Sequence, residues 1–135
     1  MANNSLLIGK LIYQTLSNDA GITQYVGDNI WPVVAPYEVQ NPYIVFLRTN
    51  DYSTAYSKDG YVGDTVSFQI NVFSDKYIDS VEIANLVRNS FEGHIISNNE
   101  LEISSIRMTN ATEQFVEDTY IQALTFDCQT NIVNS

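Results

Sequence analysis

The sequence has one histidine and one cysteine, His94 and Cys128, and the surroundings of each argue for a structural role. Catalysis needs a nucleophile beside a base, paired carboxylates in a cleft, or a metal cluster. His94 follows Gly93 at the expected end of a helix, where an imidazole can bond terminal carbonyls. Cys128 sits in a strand-like stretch with Phe126 and Ile132, which suits a small buried hydrophobe better than a thiolate. Asp51, Asp59 and Asp64 surround Gly60 and Gly63, a grouping that raises the thought of a calcium loop or a phosphate cradle. The carboxylates do not follow EF-hand spacing, and no Gly-Lys-Ser/Thr follows the glycines. A flexible turn is the better reading, with weak cation capture left open. No catalytic residue, metal or cofactor is expected, and the chain reads as non-enzymatic.

The tyrosines are the unusual feature, nine in 135 residues. Tyr52, Tyr56 and Tyr61 fall in a polar, glycine-bearing stretch over 51–64 that is long for a hairpin loop. A ring with a polar tip buries large area at low rotamer cost, so these three are candidate contacts to another molecule.

These residues must be positioned by a small set of elements. Leu7, Leu11 and Ile12 share a helical face, which predicts a first helix over 5–16 with Ser5 as its N-cap. Ala20, Ile22, Tyr25 and Val26 return at helical spacing before Gly27 stops them. Ile30-Trp31-Pro32-Val33-Val34 is short, apolar and broken by proline, as an edge strand or arm would be. The run 43–47 is apolar on both faces, as in a strand with helices on one side and a neighbour on the other. Val66, Phe68, Ile70 and Val72 alternate with polar residues, the clearest strand pattern in the chain. A second helix is predicted over 79–91, with Asp79 and Glu82 at capping-box spacing and Gly93 as its stop. Two further strands, 101–108 and 119–130, flank an acidic turn at 113–118. The expected fold is α+β, a two-layer sandwich: a mainly antiparallel sheet of four to five strands with two main helices on one face. One domain, 1–135, accounts for the whole chain.

Composition narrows the partners. Sixteen acidic against six basic residues give a formal net charge of -10, and all but Asp19, Asp28 and Glu38 of the acids lie beyond Asn50. Such a field repels phosphate backbones, so a basic nucleic-acid clamp is excluded, whereas a surface that DNA passes without sticking is compatible with it. The N-terminal residues have neither the cationic region of a signal peptide nor an apolar run of spanning length. A single cysteine fits folding in a reducing cytoplasm.

The order of several motifs resembles a known family. Gly27-Asp28-Asn29-Ile30-Trp31-Pro32 is followed by Asn41-Pro42-Tyr43-Ile44-Val45-Phe46, and then by a polar loop with Lys58-Asp59-Gly60. Val66-Ser67-Phe68-Gln69-Ile70-Asn71-Val72-Phe73 comes next, then Ile83-Ala84-Asn85-Leu86-Val87 and a helix end at Phe91-Glu92-Gly93. This succession, over nearly the whole chain, resembles the tail-completion or tail-terminator proteins of siphophages and prophages. The resemblance implies a hexameric ring at the head-proximal end of the virion tail, formed from subunits that await assembly in the host cytoplasm. Such a ring caps the tail tube, stops its polymerisation and joins the tail-tube protein to the head-tail connector or neck protein, with DNA passing through and no membrane involved. A neck, connector or minor tail subunit is the alternative, and a small-molecule binding module or enzyme a more distant one. The candidate interface residues are Trp31, Tyr52, Tyr56, Lys58, Asp59 and Tyr61.

Overall fold

A computed structural model describes residues 4–57 and 60–131, with 50–57 and 60–62 described by their backbone alone. A 3-10 turn, Ser5–Leu7, leads into α1 (Ile8–Ser17), then α2 (Ala20–Val26) and β1 (Ile30–Pro32). Strands β2 (Tyr43–Ser57) and β3 (Gly60–Ser74) form a long hairpin, followed by α3 (Tyr77–Phe91). A two-residue β4 (Ile96–Ser97) and a second long hairpin, β5 (Glu102–Val116) and β6 (Thr119–Asn131), complete the chain. The architecture is α+β, and the sheet has six strands in the order β1-β2-β3-β6-β5-β4 rather than four to five. The edge strand or arm expected at 30–34 is β1, and the unexpected strand is β4, whose two residues are too few to register as a hydrophobic period. All pairings are antiparallel except β1 with β2.

One face of the sheet carries the helices and the core. Val66, Phe68, Ile70 and Val72 of β3 meet Leu124, Phe126 and Cys128 of β6 beneath Ile8, Leu11 and Ile12 of α1 and Ile83, Val87 and Phe91 of α3. Phe68, Phe91 and Phe126 form an aromatic cluster with ring centroids 5.3–5.8 Å apart. Asp19 caps α2 by accepting the Ile22 N–H at 3.1 Å, and the Ser90 hydroxyl donates to the same carboxylate, tying α2 to α3. Gly27 closes α2 at φ 58° as expected.

Several boundaries differ from the sequence reading. Ser5 is not a helix cap: α1 begins at Ile8, and the buried Ser5 hydroxyl donates to the Asp64 carboxylate, fifty-nine positions away. Helix α3 begins at Tyr77 with Lys76 at its N-cap and no side-chain capping bond, so Asp79 and Glu82 make no capping box. The stretch 51–64 is largely not a loop, because β2 and β3 stay paired from Tyr52 opposite Val66 out to Ser57 opposite Gly60. The acidic turn is likewise tighter than 113–118: pairing continues to Val116 opposite Thr119, leaving Glu117 and Asp118 as the two turn residues. Both have positive φ, 51° and 61°, the conformation of a two-residue hairpin whose twist matches its strands.

Part of the cover expected over 43–47 comes from the chain itself. On the helix-free face of β2, Tyr43, Val45 and Leu47 meet the segment 33–41 across an open cavity of about 630 Å³. The Tyr43 ring also stacks on Phe73 of β3, with centroids 4.5 Å apart.

Candidate functional site

The register sends the two long hairpins out of opposite ends of the sheet. Strand β6 runs antiparallel to β3, pairing Tyr120 with Ser74 at one end and Gln129 with Thr65 at the other. The β5–β6 turn lies beyond the first end, and the β2–β3 hairpin closes beyond the second.

At the base of the second hairpin the inward side chains are core. Ile103 and Ile106 are buried, and a bulge between Ser104 and Arg107, with Ser105 at φ 53°, turns Ile106 inward. From 109 to 118 every residue of β5 and the turn is exposed. Because β4 pairs only with Glu102 and Ile103, the outer edge of β5 beyond them has no strand neighbour among the described residues. Such an edge offers unpaired backbone donors and acceptors to another chain.

The outer part of this hairpin is held rigid by polar contacts on the helix-bearing face. Tyr77 donates its hydroxyl to Glu113 at 2.7 Å, and Gln122 donates to the same carboxylate at 2.9 Å. These two donors hold the Glu113 carboxyl below the ordinary carboxylate value, Gln122 contributing most, while the hydrogen bond to Glu113, and then its charge, raises the Tyr77 phenol. The Phe115 ring lies 4.7 Å from that of Tyr120, which meets Tyr77 edge-on at 5.4 Å. Even so, Phe115 is 58% exposed and Val116 48%, beside the carboxylates of Glu117 and Asp118.

The opposite edge of the sheet has a complementary character. Between α1 and the β1–β2 pair lies an apolar notch floored by Gly9, Pro32 and Phe46. Its two adjoining parts measure about 340 and about 460 Å³. Leu6, Tyr13 and Val33 stand exposed around it, and Lys10 and Arg48 are the charged residues on its walls. Lys10 is ion-paired to Glu100 at 2.6 Å, and Arg48 forms no ion pair among the described residues.

Of the candidate interface residues, Trp31 lies on β1 and the three tyrosines on the β2–β3 hairpin. Trp31 is half-buried in β1, and its indole N–H is buried with no hydrogen-bond partner among the described residues. Tyr52 and Tyr56 lie on β2, and Tyr61 on β3 opposite Tyr56. Lys58 and Asp59 lie outside the described residues, and the side chains of Asp51 and the three tyrosines are likewise not described. Asp64 is buried: the Ser5 hydroxyl donates to its carboxylate and its backbone N–H donates to Thr130 Oγ1 at 2.9 Å. The two groups singled out as structural are so placed. His94 Nε2 lies 2.8 Å from the Asn89 carbonyl of α3, and burial pushes the Cys128 thiol up to about 12. The Phe115–Val116 tip was missed by the sequence reading, although an apolar pair between Glu113 and Glu117-Asp118, with no apolar periodicity around it, is a signal of exposed apolar surface.

Comparison with known proteins gives consistent results. The family model described as "Tail completion protein gp17" matches residues 10–132. A chain in the solved virion of a native gene transfer agent particle superposes with a TM-score of 0.77 at 22% identity, covering 90% of this chain and 92% of that one. A second solved structure superposes at 0.68 with 10% identity, covering 97% and 98%. At these identities the two structures establish a shared fold. No curated protein matches the sequence.

Proposed function

Because the chain belongs to the tail completion protein gp17 family of phage structural proteins, we propose that it forms a ring that caps the tail tube, stops its polymerisation and joins the tail to the head connector. The family match over 10–132 is the observation that carries this reading. The fold adds physical support. A subunit with long hairpins leaving opposite ends of one sheet can touch different partners above and below while its two sheet edges meet copies of itself. We assign the head-proximal end of the virion tail as its place, with six copies around the ring, the tail-tube protein on one side and the connector or neck protein on the other. The lumen is assigned to acidic surface from beyond Asn50, past which DNA slides without binding. Trp31, Tyr52, Tyr56, Lys58, Asp59 and Tyr61 remain candidates for the contacts with these neighbours. The part played in the particle is assembly and not turnover.

The test is genetic and visual. Particles made without this chain should have tails of uncontrolled length, or tails of normal length that fail to join heads, when counted by electron microscopy. Normal infectious particles would reject the assignment.

A further inference from the structure

We infer that the Phe115–Val116 tip of one copy seats in the α1–β1 notch of the next, making the contact that closes the ring. This inference rests on the ring reading above and names the surfaces that the ring requires.

Four observations point the same way. The first is apolar complementarity, since Phe115 and Val116, 58% and 48% exposed, stand at the end of β5 while an apolar notch lies open elsewhere on the same molecule. The second is charge. The tip is flanked by Glu117 and Asp118 and the notch by Arg48, beside the Lys10–Glu100 pair, so tip against notch is attractive where tip against tip is repulsive. The third is placement, because the notch lies along the β1–β2 edge and the tip on the β5–β6 hairpin, toward opposite edges of the six-stranded sheet. A self-contact between unlike surfaces at opposite edges is heterologous, and it closes into a ring when its rotation permits. The fourth is facing. Phe115 reaches α3 through Tyr120 and Tyr77, and the notch is walled by α1, so the Phe115 ring and the notch lie on the helix-bearing side, while Val116, paired with Thr119, points to the other face.

Gly9 gives the notch its floor. A β-carbon there would sit 3.9 Å from the Phe46 ring, an ordinary contact, so Gly9→Leu fills the notch while suiting a helix.

The experiment places a photoreactive benzoylphenylalanine at position 115 of the full chain, lets that chain assemble into particles, and maps the products of irradiation by mass spectrometry. The expected product joins position 115 to residues 6–13 or 32–48 of another copy, and Gly9→Leu in the same chain should abolish it without lowering the melting temperature. Glu117→Lys should reduce the product, and Arg48→Glu added to it should restore the yield. Particles that contain the chain but link position 115 to a different protein, to another part of this chain, or to nothing overturn the contact and leave the ring reading standing. Particles whose tails lack the chain altogether reject the ring reading, and the contact with it.

Discussion

The base and the tip of the β5–β6 hairpin are built from one continuous pair of strands yet obey different physics. Toward the base, β6 alternates with Leu124, Phe126, Cys128 and Thr130 buried, and each inward side chain is fixed by neighbours on β3, β5 and the helices. Toward the tip, the ten positions 109–118 are all exposed although the backbone pairing continues unbroken from Asn110. Backbone hydrogen bonds alone stabilise such a ribbon weakly, because each replaces a bond to water. The outer hairpin is therefore held by its edge contacts with Tyr77, Tyr120 and Gln122, whereas the base is held by what it buries.

The largest effect that sharpens this contrast belongs to the base. Phe126→Ala removes a fully buried ring that packs on Phe68 and Phe91, and should cost about 3–5 kcal/mol of stability in chemical denaturation. A loss as small as that of a surface change would break the comparison. Next comes Gly63→Ala, opposite the end of β6. Gly63 has φ 149°, and a β-carbon there would lie 2.2 Å from the Thr130 carbonyl oxygen, so the backbone must shift. Strain of this kind should cost on the order of 1–3 kcal/mol, read as a lowered denaturation midpoint.

Phe115→Ser at the tip, which loses a cross-strand ring contact with Tyr120, should cost about 1 kcal/mol of stability while reducing assembly into particles. A melting temperature that falls as far as for Phe126→Ala would show the tip to be core, and the distinction would collapse. The smallest effect concerns acid. Glu92 accepts the Met108 N–H and the Arg88 side chain, each at 2.9 Å, which lowers its carboxyl below the reference 4.5, the backbone donor contributing most. A depressed folded value means stability that is fully present above 4.5 and lost as pH falls through the lower folded value. Glu92→Gln should therefore flatten the acid limb of a stability-versus-pH curve by lowering the neutral plateau slightly, leaving stability at low pH nearly unchanged. An acid limb identical to that of the parent would remove Glu92 as a contributor.

The same contrast explains what could be read from the residues alone. Alternation at Val66, Phe68, Ile70 and Val72 and the helical spacing of Leu11, Ile12, Ile83 and Val87 announced the core elements, because burial imposes a period on the sequence. The outer halves of the hairpins were read as loop and turn. Positions 109–118 have no buried face to write a pattern, and the corresponding stretch of the first hairpin, 51–64, is rich in aspartate, tyrosine and glycine. The strands β1 and β4 were too short to reveal their pairing, and β4 went unnoticed. The link from Ser5 to Asp64 spans fifty-nine positions and has no local sign. Of the candidate contacts, the tyrosine-rich stretch was seen and its strand character was not, whereas the notch beside Gly9 exists only once a helix is laid over β2.

The departure of the two long hairpins from opposite ends of one sheet gives the subunit a head and a foot that cannot be interchanged. In the ring proposed above, copies standing side by side in the same sense would make an object with two unlike rims, one toward the Ser57–Gly60 end of every first hairpin and the other toward every Glu117-Asp118 turn. Turning that object over does not reproduce it, so whatever it meets along its axis meets it with a definite polarity. The growth of anything stacked upon it is thereby given a direction.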